Sequence, residues 1–143
     1  MRSTVVALML IALPACSNLE VKTRQDWDTD FTQYRTYAWS REAAALDPSI
    51  ESRIQAAVDF ELAFKALKKV ELEGGSADLH VSTYASAEEE RGATGTLVID
   101  LVDARSGKLV WRGRATRVVD RQISEEALRK VVREIFRHYP WRG

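Results

Sequence analysis

The chain contains a single cysteine, Cys16, so no intramolecular disulfide can form. It has two histidines, His80 and His138, and neither has a His or Cys neighbour at metal-ligand spacing. Net charge is also missing: 21 Lys and Arg balance 21 Asp and Glu, so nothing global points to nucleic acid. Glycine and proline number 7 and 3, far from a collagen-like composition. No Gly-x-Ser-x-Gly elbow occurs. Gly107-Lys108 lacks the upstream glycine and the following Ser or Thr of a phosphate loop. What is present is ordinary: 45% hydrophobic and 29% charged residues in 143, enough for one domain.

The only long apolar run is Val5 to Leu13, after the positively charged start Met1-Arg2. A run of that length falls short of the ~20 residues that span a bilayer. It matches the core of a secretory signal peptide. Cleavage after Ala15 would place bulky Leu13 where the ordinary signal-peptide pattern wants a small residue. Leu13-Pro14-Ala15-Cys16 instead resembles the bacterial lipobox, with Pro14 where Ala, Ser or Thr is usual. The resemblance implies removal of residues 1–15 and acyl chains on Cys16, which would hold the protein to a membrane. One chain binds marginally, and several hold for practical purposes permanently. Ser17, rather than Asp, follows the cysteine, which by the same resemblance implies the outer membrane, periplasmic side. The other reading is a free Cys16 that merely ends a signal peptide. Residues 16–19 then form a tether of about 15 Å at most. Residues 20–143 form a single α+β domain.

Within that domain, residues 20–27 alternate as a strand, and 35–39 form a second strand rich in aromatic and β-branched residues. Asp47 and Pro48 open a helix predicted over 48–66. Ile50, Ile54, Ala57, Val58 and Leu62 supply its buried spacing, and Phe60 and Phe64 widen the stripe towards the core. Residues 68–73 form a short strand before the turn Gly74-Gly75-Ser76. Strands follow over 78–84, 96–102 and 109–119, with residues 86–95 read as an exposed loop. The last two strands make a hairpin around Asp103 to Lys108, where Gly107 is able to take φ > 0. Leu109, Trp111, Gly113 and Ala115 share one face, Arg112 and Arg114 the other. Ser124 caps a final helix that buries Leu128, Val131, Val132 and Ile135 and stops at Pro140. The order β-β-α-β-β-β-α predicts a two-layer α+β sandwich, a mainly antiparallel sheet with both helices on one face.

Ordered pieces along nearly the whole chain resemble a bacterial lipoprotein family known as domain of unknown function 4136. They are Asp30-Phe31, Tyr34-Arg35-Thr36-Tyr37-Ala38-Trp39, Glu61-Leu62-Ala63, Ala77-Asp78-Leu79-His80-Val81, Gly95 to Asp100, Lys108 to Gly113, and Tyr139-Pro140. Where that family often ends its first helix on glycine, this chain has Phe-Lys-Ala-Leu-Lys-Lys. The resemblance implies no activity, cofactor or catalytic residue.

Chemistry read from the residues is sparse. Asp100 and Asp103 stand three apart on a strand and so point to opposite faces, and Asp103 reads as the cap of the turn. The aromatics Trp27, Tyr34, Tyr37, Trp39 and Trp111 read as core packing, or as a groove for a lipid tail or a peptide. Charge is uneven along the chain: 9 basic against 17 acidic residues over 16–103, then 11 against 4 over 104–143. Either the halves neutralise each other in space, or Arg112, Arg114, Arg129, Lys130, Arg133 and Arg137 present a basic face to anionic headgroups or an acidic partner. The expectation is a non-catalytic, membrane-anchored interaction or structural module of the cell envelope, without metal, cofactor or nucleic acid. The alternative is a binder of a lipid or other small apolar ligand.

Overall fold

The computed structural model describes residues 19–41, 48–72, 76–88, 94–116 and 122–141. The signal segment, Cys16, Asp47, Gly74-Gly75 and Arg117 lie outside them. The elements are β1 (Glu20–Gln25), a 3-10 turn (Phe31–Gln33), β2 (Thr36–Trp39), α1 (Pro48–Phe64), β3 (Lys68–Lys69), β4 (Leu79–Glu88), β5 (Thr94–Asp103), β6 (Leu109–Thr116) and α2 (Glu125–Phe136). This is an α+β fold, and the two-residue β3 is the short strand expected after the first helix.

One six-stranded sheet runs in the order β1-β6-β5-β4-β2-β3. The β1–β6, β6–β5 and β5–β4 pairs are antiparallel, whereas β2 lies parallel to β4 and to β3. Connectivity explains the mixture. α1 carries the chain from the end of β2 back to its beginning, so the next strands re-enter in the same direction. β4 and β5 are longer than expected because Ala87 pairs with Gly95 and Glu88 with Thr94, inside the predicted loop. Near the hairpin, Leu101 faces Trp111 but Val102 faces Leu109, so Val110 is an extra residue in β6.

Both helices cover the same side of the sheet. Leu79, Val81, Leu97, Ile99, Leu101, Trp111 and Ala115 point inward and join Ile54, Val58, Leu62, Leu128, Val132 and Ile135 in one buried cluster. α1 and α2 run in the same direction. Arg53 near the start of α1 donates from Nη2 to the Ile123 carbonyl just before α2, and Glu61 near its end meets Arg133.

The helix–sheet contact is closest at β6. A Cβ at Gly113 would strike Ile135 Cγ2 and lie 2.6 Å from Trp111 Cη2. Trp111 is fully buried, stacks on Phe136 at 5.2 Å between centroids, and meets Tyr139 edge-on at 5.6 Å. Phe31 extends the array to Tyr34 and Tyr139. Each such ring contributes about 1.5–3 kcal/mol by burial, with about 1 kcal/mol more per well-placed aromatic pair. Trp111 Nε1 has no hydrogen-bond partner among the described residues, so packing rather than a polar bond holds this ring.

Three aromatics do not sit where the spacing predicts. Trp27 is 86% exposed, Phe60 63% and Phe64 68%. Phe60 and Phe64 follow Ala56 on one i, i+4 row of α1, and that row faces away from the sheet. Tyr37 and Trp39, by contrast, turn inward with their polar tips satisfied. Tyr37 Oη and Trp39 Nε1 each donate to Asp59 Oδ1 at 2.8 Å. Lys69 Nζ reaches Oδ2 of the same carboxylate at 3.0 Å, so Asp59 joins β2, β3 and α1.

α1 ends two residues before the predicted Ala66. The Ala66 N–H donates to Ala63 O and the Leu67 N–H to Leu62 O, both at 3.0 Å, and Ala66 has φ of 61°. This is a Schellman end with alanine at the left-handed position that glycine ordinarily fills. Ala66→Gly is expected to relieve about 1 kcal/mol of backbone strain and raise Tm by about 4 °C. Gly113→Ala is expected to destabilise by about 1–3 kcal/mol through overpacking. Chemical denaturation of the two variants beside the parent checks both signs.

Candidate functional site

Strand alternation that buries Leu79, Ile99 and Trp111 turns the intervening residues onto the open face of the sheet. On β1 and β6 these are cations in register: Arg24 lies directly opposite Arg112, and Lys22 directly opposite Arg114. Like charges directly opposite destabilise an antiparallel pair. Arg112 is partly compensated. Its Nε and Nη2 clamp Asp100 Oδ1 and Oδ2 at 2.6 and 2.7 Å, and Asp100 is only 5% exposed. The Asp100 hydrogen bond holds the Arg112 guanidinium still more firmly in its charged form. Lys22 pairs with Glu20 at 2.8 Å. Arg24 and Arg114 have no ion pair among the described residues.

The other predicted cations are elsewhere. Arg129, Lys130 and Arg133 lie on α2 and Arg137 caps its end, across the sheet from Arg112 and Arg114, so the six do not form one surface. Each α2 cation has an acidic neighbour. Arg129 meets Glu125 at 3.0 Å, Lys130 meets Glu126 at 2.9 Å, Arg137 meets Glu134 at 3.0 Å, and Arg133 meets Glu61 at 3.6 Å. Cys16 lies outside the described residues. Lys22 and Arg24 were legible as one face of a strand, but only the β1–β6 pairing sets them opposite Arg114 and Arg112.

A polar cleft of about 530 Å³ opens at the hairpin end of the sheet, lined by Tyr34, Asp78, His80, Asp103 and Arg105 among others. Its carboxylates are already engaged. Asp78 Oδ2 accepts from the Arg35 and Thr36 N–H groups at 2.8 and 2.9 Å and from Thr36 Oγ1 at 3.0 Å, which joins the start of β2 to β4. Asp103 Oδ1 accepts from the Arg105 and Ser106 N–H groups and from Ser106 Oγ, the turn cap that its position implies. Asp103 Oδ2 accepts from Tyr34 Oη at 2.9 Å. Backbone donors, led by Arg35 for Asp78 and Ser106 for Asp103, hold both carboxyls below their ordinary value. Burial, followed by the Asp103 hydrogen bond, pushes the Tyr34 phenol well above its ordinary range. Such groups serve as fixed acceptors and a neutral phenol, not as a poised acid–base pair. Among the described residues, no group of three or more His, Cys, Asp or Glu is placed to hold a metal ion.

A second hollow, about 390 Å³, lies between the ends of α1 and α2, lined by Phe60, Glu61, Phe64, Lys65, Arg133 and Arg137. Lys65 Nζ stands 5.9 Å from the Phe64 ring centroid and 5.4 Å from that of Trp141. No described helix is long and apolar enough to cross a membrane.

The molecule is thus an α+β domain with a packed core, occupied cleft carboxylates, a cationic open sheet face and an aromatic outer helix face. It belongs to the family described as domain of unknown function 4136 (DUF4136), whose model matches residues 21–141. No curated protein matches the chain. Among solved structures, a PDZ domain protein from Parabacteroides distasonis shares the fold at TM-score 0.66 and 18% identity, over 87% of this chain. The chain spans only 37% of that protein. Two structures of the PelC dodecamer from Paraburkholderia phytofirmans match at TM-scores of 0.59 and 0.60, with 10% and 12% identity. They cover 82% and 86% of this chain and 94% and 100% of their own.

The lowered carboxyls fix the sign of an acid effect. Their contribution is whole above the ordinary value of 3.8 and is lost as pH falls through their depressed values. Asp78→Asn with Asp103→Asn is expected to lower stability at neutral pH and flatten its decline between about pH 5 and pH 2. Urea denaturation across that range checks it.

Proposed function

We propose that this protein is a lipid-anchored, non-catalytic binding module of the bacterial cell envelope. Acyl chains on Cys16 hold it to the periplasmic side of the outer membrane, and its open sheet face lies towards anionic headgroups. The observation that carries this reading is the like-charge register of Arg24 with Arg112 and Lys22 with Arg114, in which Arg24 and Arg114 have no ion pair among the described residues. An arrangement that destabilises the free sheet is relieved when an anionic surface lies against it. The position is suitable. β1 begins at Glu20, four residues after Cys16, so the strand that carries Lys22 and Arg24 starts within about 15 Å of chain from the anchor. The occupied cleft carboxylates favour binding over catalysis. The packing of Trp111, Phe136 and Tyr139 against one another favours a filled core over an internal lipid pocket.

The test has two parts. Labelled palmitate is expected to enter the parent and not Cys16→Ser; equal labelling refutes the anchor. The unacylated Cys16→Ser chain is expected to bind phosphatidylglycerol vesicles at least about tenfold more tightly than phosphatidylcholine vesicles at low salt. That preference should fade at about 0.5 M salt and disappear in Arg24→Glu with Arg114→Glu. A preference unchanged by salt or by these substitutions refutes the surface.

A further inference from the structure

The two helices distribute charge in opposite ways. On α2 the outward positions are charged: Glu125, Glu126, Arg129, Lys130 and Arg133. On α1 the exposed positions are Ser49, Ser52, Ala56, Phe60, Ala63 and Phe64, beside the leading Pro48, and none carries charge. All four ionisable residues of α1 are instead half-buried or buried and engaged. Glu51 accepts from Gln55, Arg53 donates to Ile123 O, Asp59 holds Tyr37 and Trp39, and Glu61 meets Arg133. From Ala56 onward the outer face is apolar as well as the inner one, and a helix so patterned is built to be covered on both. An exposed apolar patch of this kind marks a contact surface.

We infer that a second copy of this chain covers the outer face of α1, with the two α1 helices packed antiparallel about a two-fold axis at Phe60. Ala56, Phe60 and Phe64 form a small-large-large row at i, i+4 spacing, the ridge that interdigitates in the commonest helix packing. About an axis at Phe60 the row is complementary to itself. The Phe60 rings meet, and Phe64 of each copy covers Ala56 of the other. No residue of this row is itself charged, so no like charges are opposed on it. The neighbouring cations do not favour a lipid surface here, because Arg133 and Arg137 already face Glu61 and Glu134 and Lys65 lies over the Phe64 and Trp141 rings.

The area sets the strength. A fully exposed aromatic side chain offers about 150–250 Å². With Phe60 63%, Phe64 68% and Trp141 44% exposed, each copy contributes roughly 400 Å² of aromatic surface. The pair total of roughly 800 Å² is below the ~1,200 Å² of a standard stable interface. Pairing is therefore weak in dilute solution and strengthened when copies share a surface that raises their effective concentration. That strengthening rests on the anchored reading above, whereas the pairing itself does not.

The test places the photo-crosslinking amino acid p-benzoylphenylalanine at position 60 of the full chain and irradiates intact envelopes. The expected product is a covalent dimer whose linked peptide comes from α1 of a second copy. Adding Phe64→Glu is expected to reduce it at least about tenfold. The same probe at Arg129 is expected to give no such dimer. An adduct to lipid or to another protein, no adduct, or a dimer that survives Phe64→Glu with α1 intact by circular dichroism would each overturn the inference. If the protein partitions into the soluble fraction, the anchor fails while the adduct is still read there at raised concentration.

Discussion

The architecture depends on how closely α2 approaches β6. Gly113 leaves out the one carbon that would collide with Ile135, and this lets the Trp111 ring slide beneath the helix and stack on Phe136. Everything at the hairpin end follows from that approach. Tyr139 closes against Trp111, Phe31 closes against Tyr139, and the segment between β1 and β2 is drawn over the core. Among the described residues Trp111 contributes as a packed ring without a polar bond, so the region tolerates little change in volume.

Polar groups complete what packing begins. Three carboxylates bind elements distant in sequence. Asp59 joins α1 to β2 and β3, Asp78 joins β4 to the start of β2, and Asp103 joins the β5–β6 turn to Tyr34. A carboxylate with every strong donor within reach already bonded is a structural acceptor, and reactivity there would compete with the fold. The domain is built in two layers. Its two layers present different outsides: a cationic sheet face beside the chain entry, and an uncharged aromatic ridge on the first helix. The first is the face we propose for an anionic surface and the second the one we infer to pair with a copy, since the two lie on opposite sides of the domain and differ in what they need to desolvate.

Much of the fold was legible along the chain. Alternation identified the strands, Ser124 and Pro140 bracketed the final helix, and Asp103 with Gly107 specified the hairpin turn. Such signals are local, since a cap or turn acts within a few residues of itself. The site was less legible. Phe60 and Phe64 fit a widened apolar stripe as well as an outward one, because helical spacing reports which residues share a face and not what covers that face. Lys22 and Arg24 shared a strand face, but their opposition to Arg114 and Arg112 depends on a pairing between strands about ninety residues apart in sequence.

The amino-acid sequence by itself determined the strand and helix segments, the hairpin, the α+β class and the family resemblance, all of which rest on short-range stereochemistry and hydrophobic period. Only the tertiary structure decided that β2 runs parallel to β4, that the predicted cations divide between opposite sides of the sheet, and that α1 keeps a bare aromatic face. Each of these depends on the path of the chain between distant segments. Apolar burial drives their association without direction, and it is Gly113 and the three bridging carboxylates that select one arrangement of them.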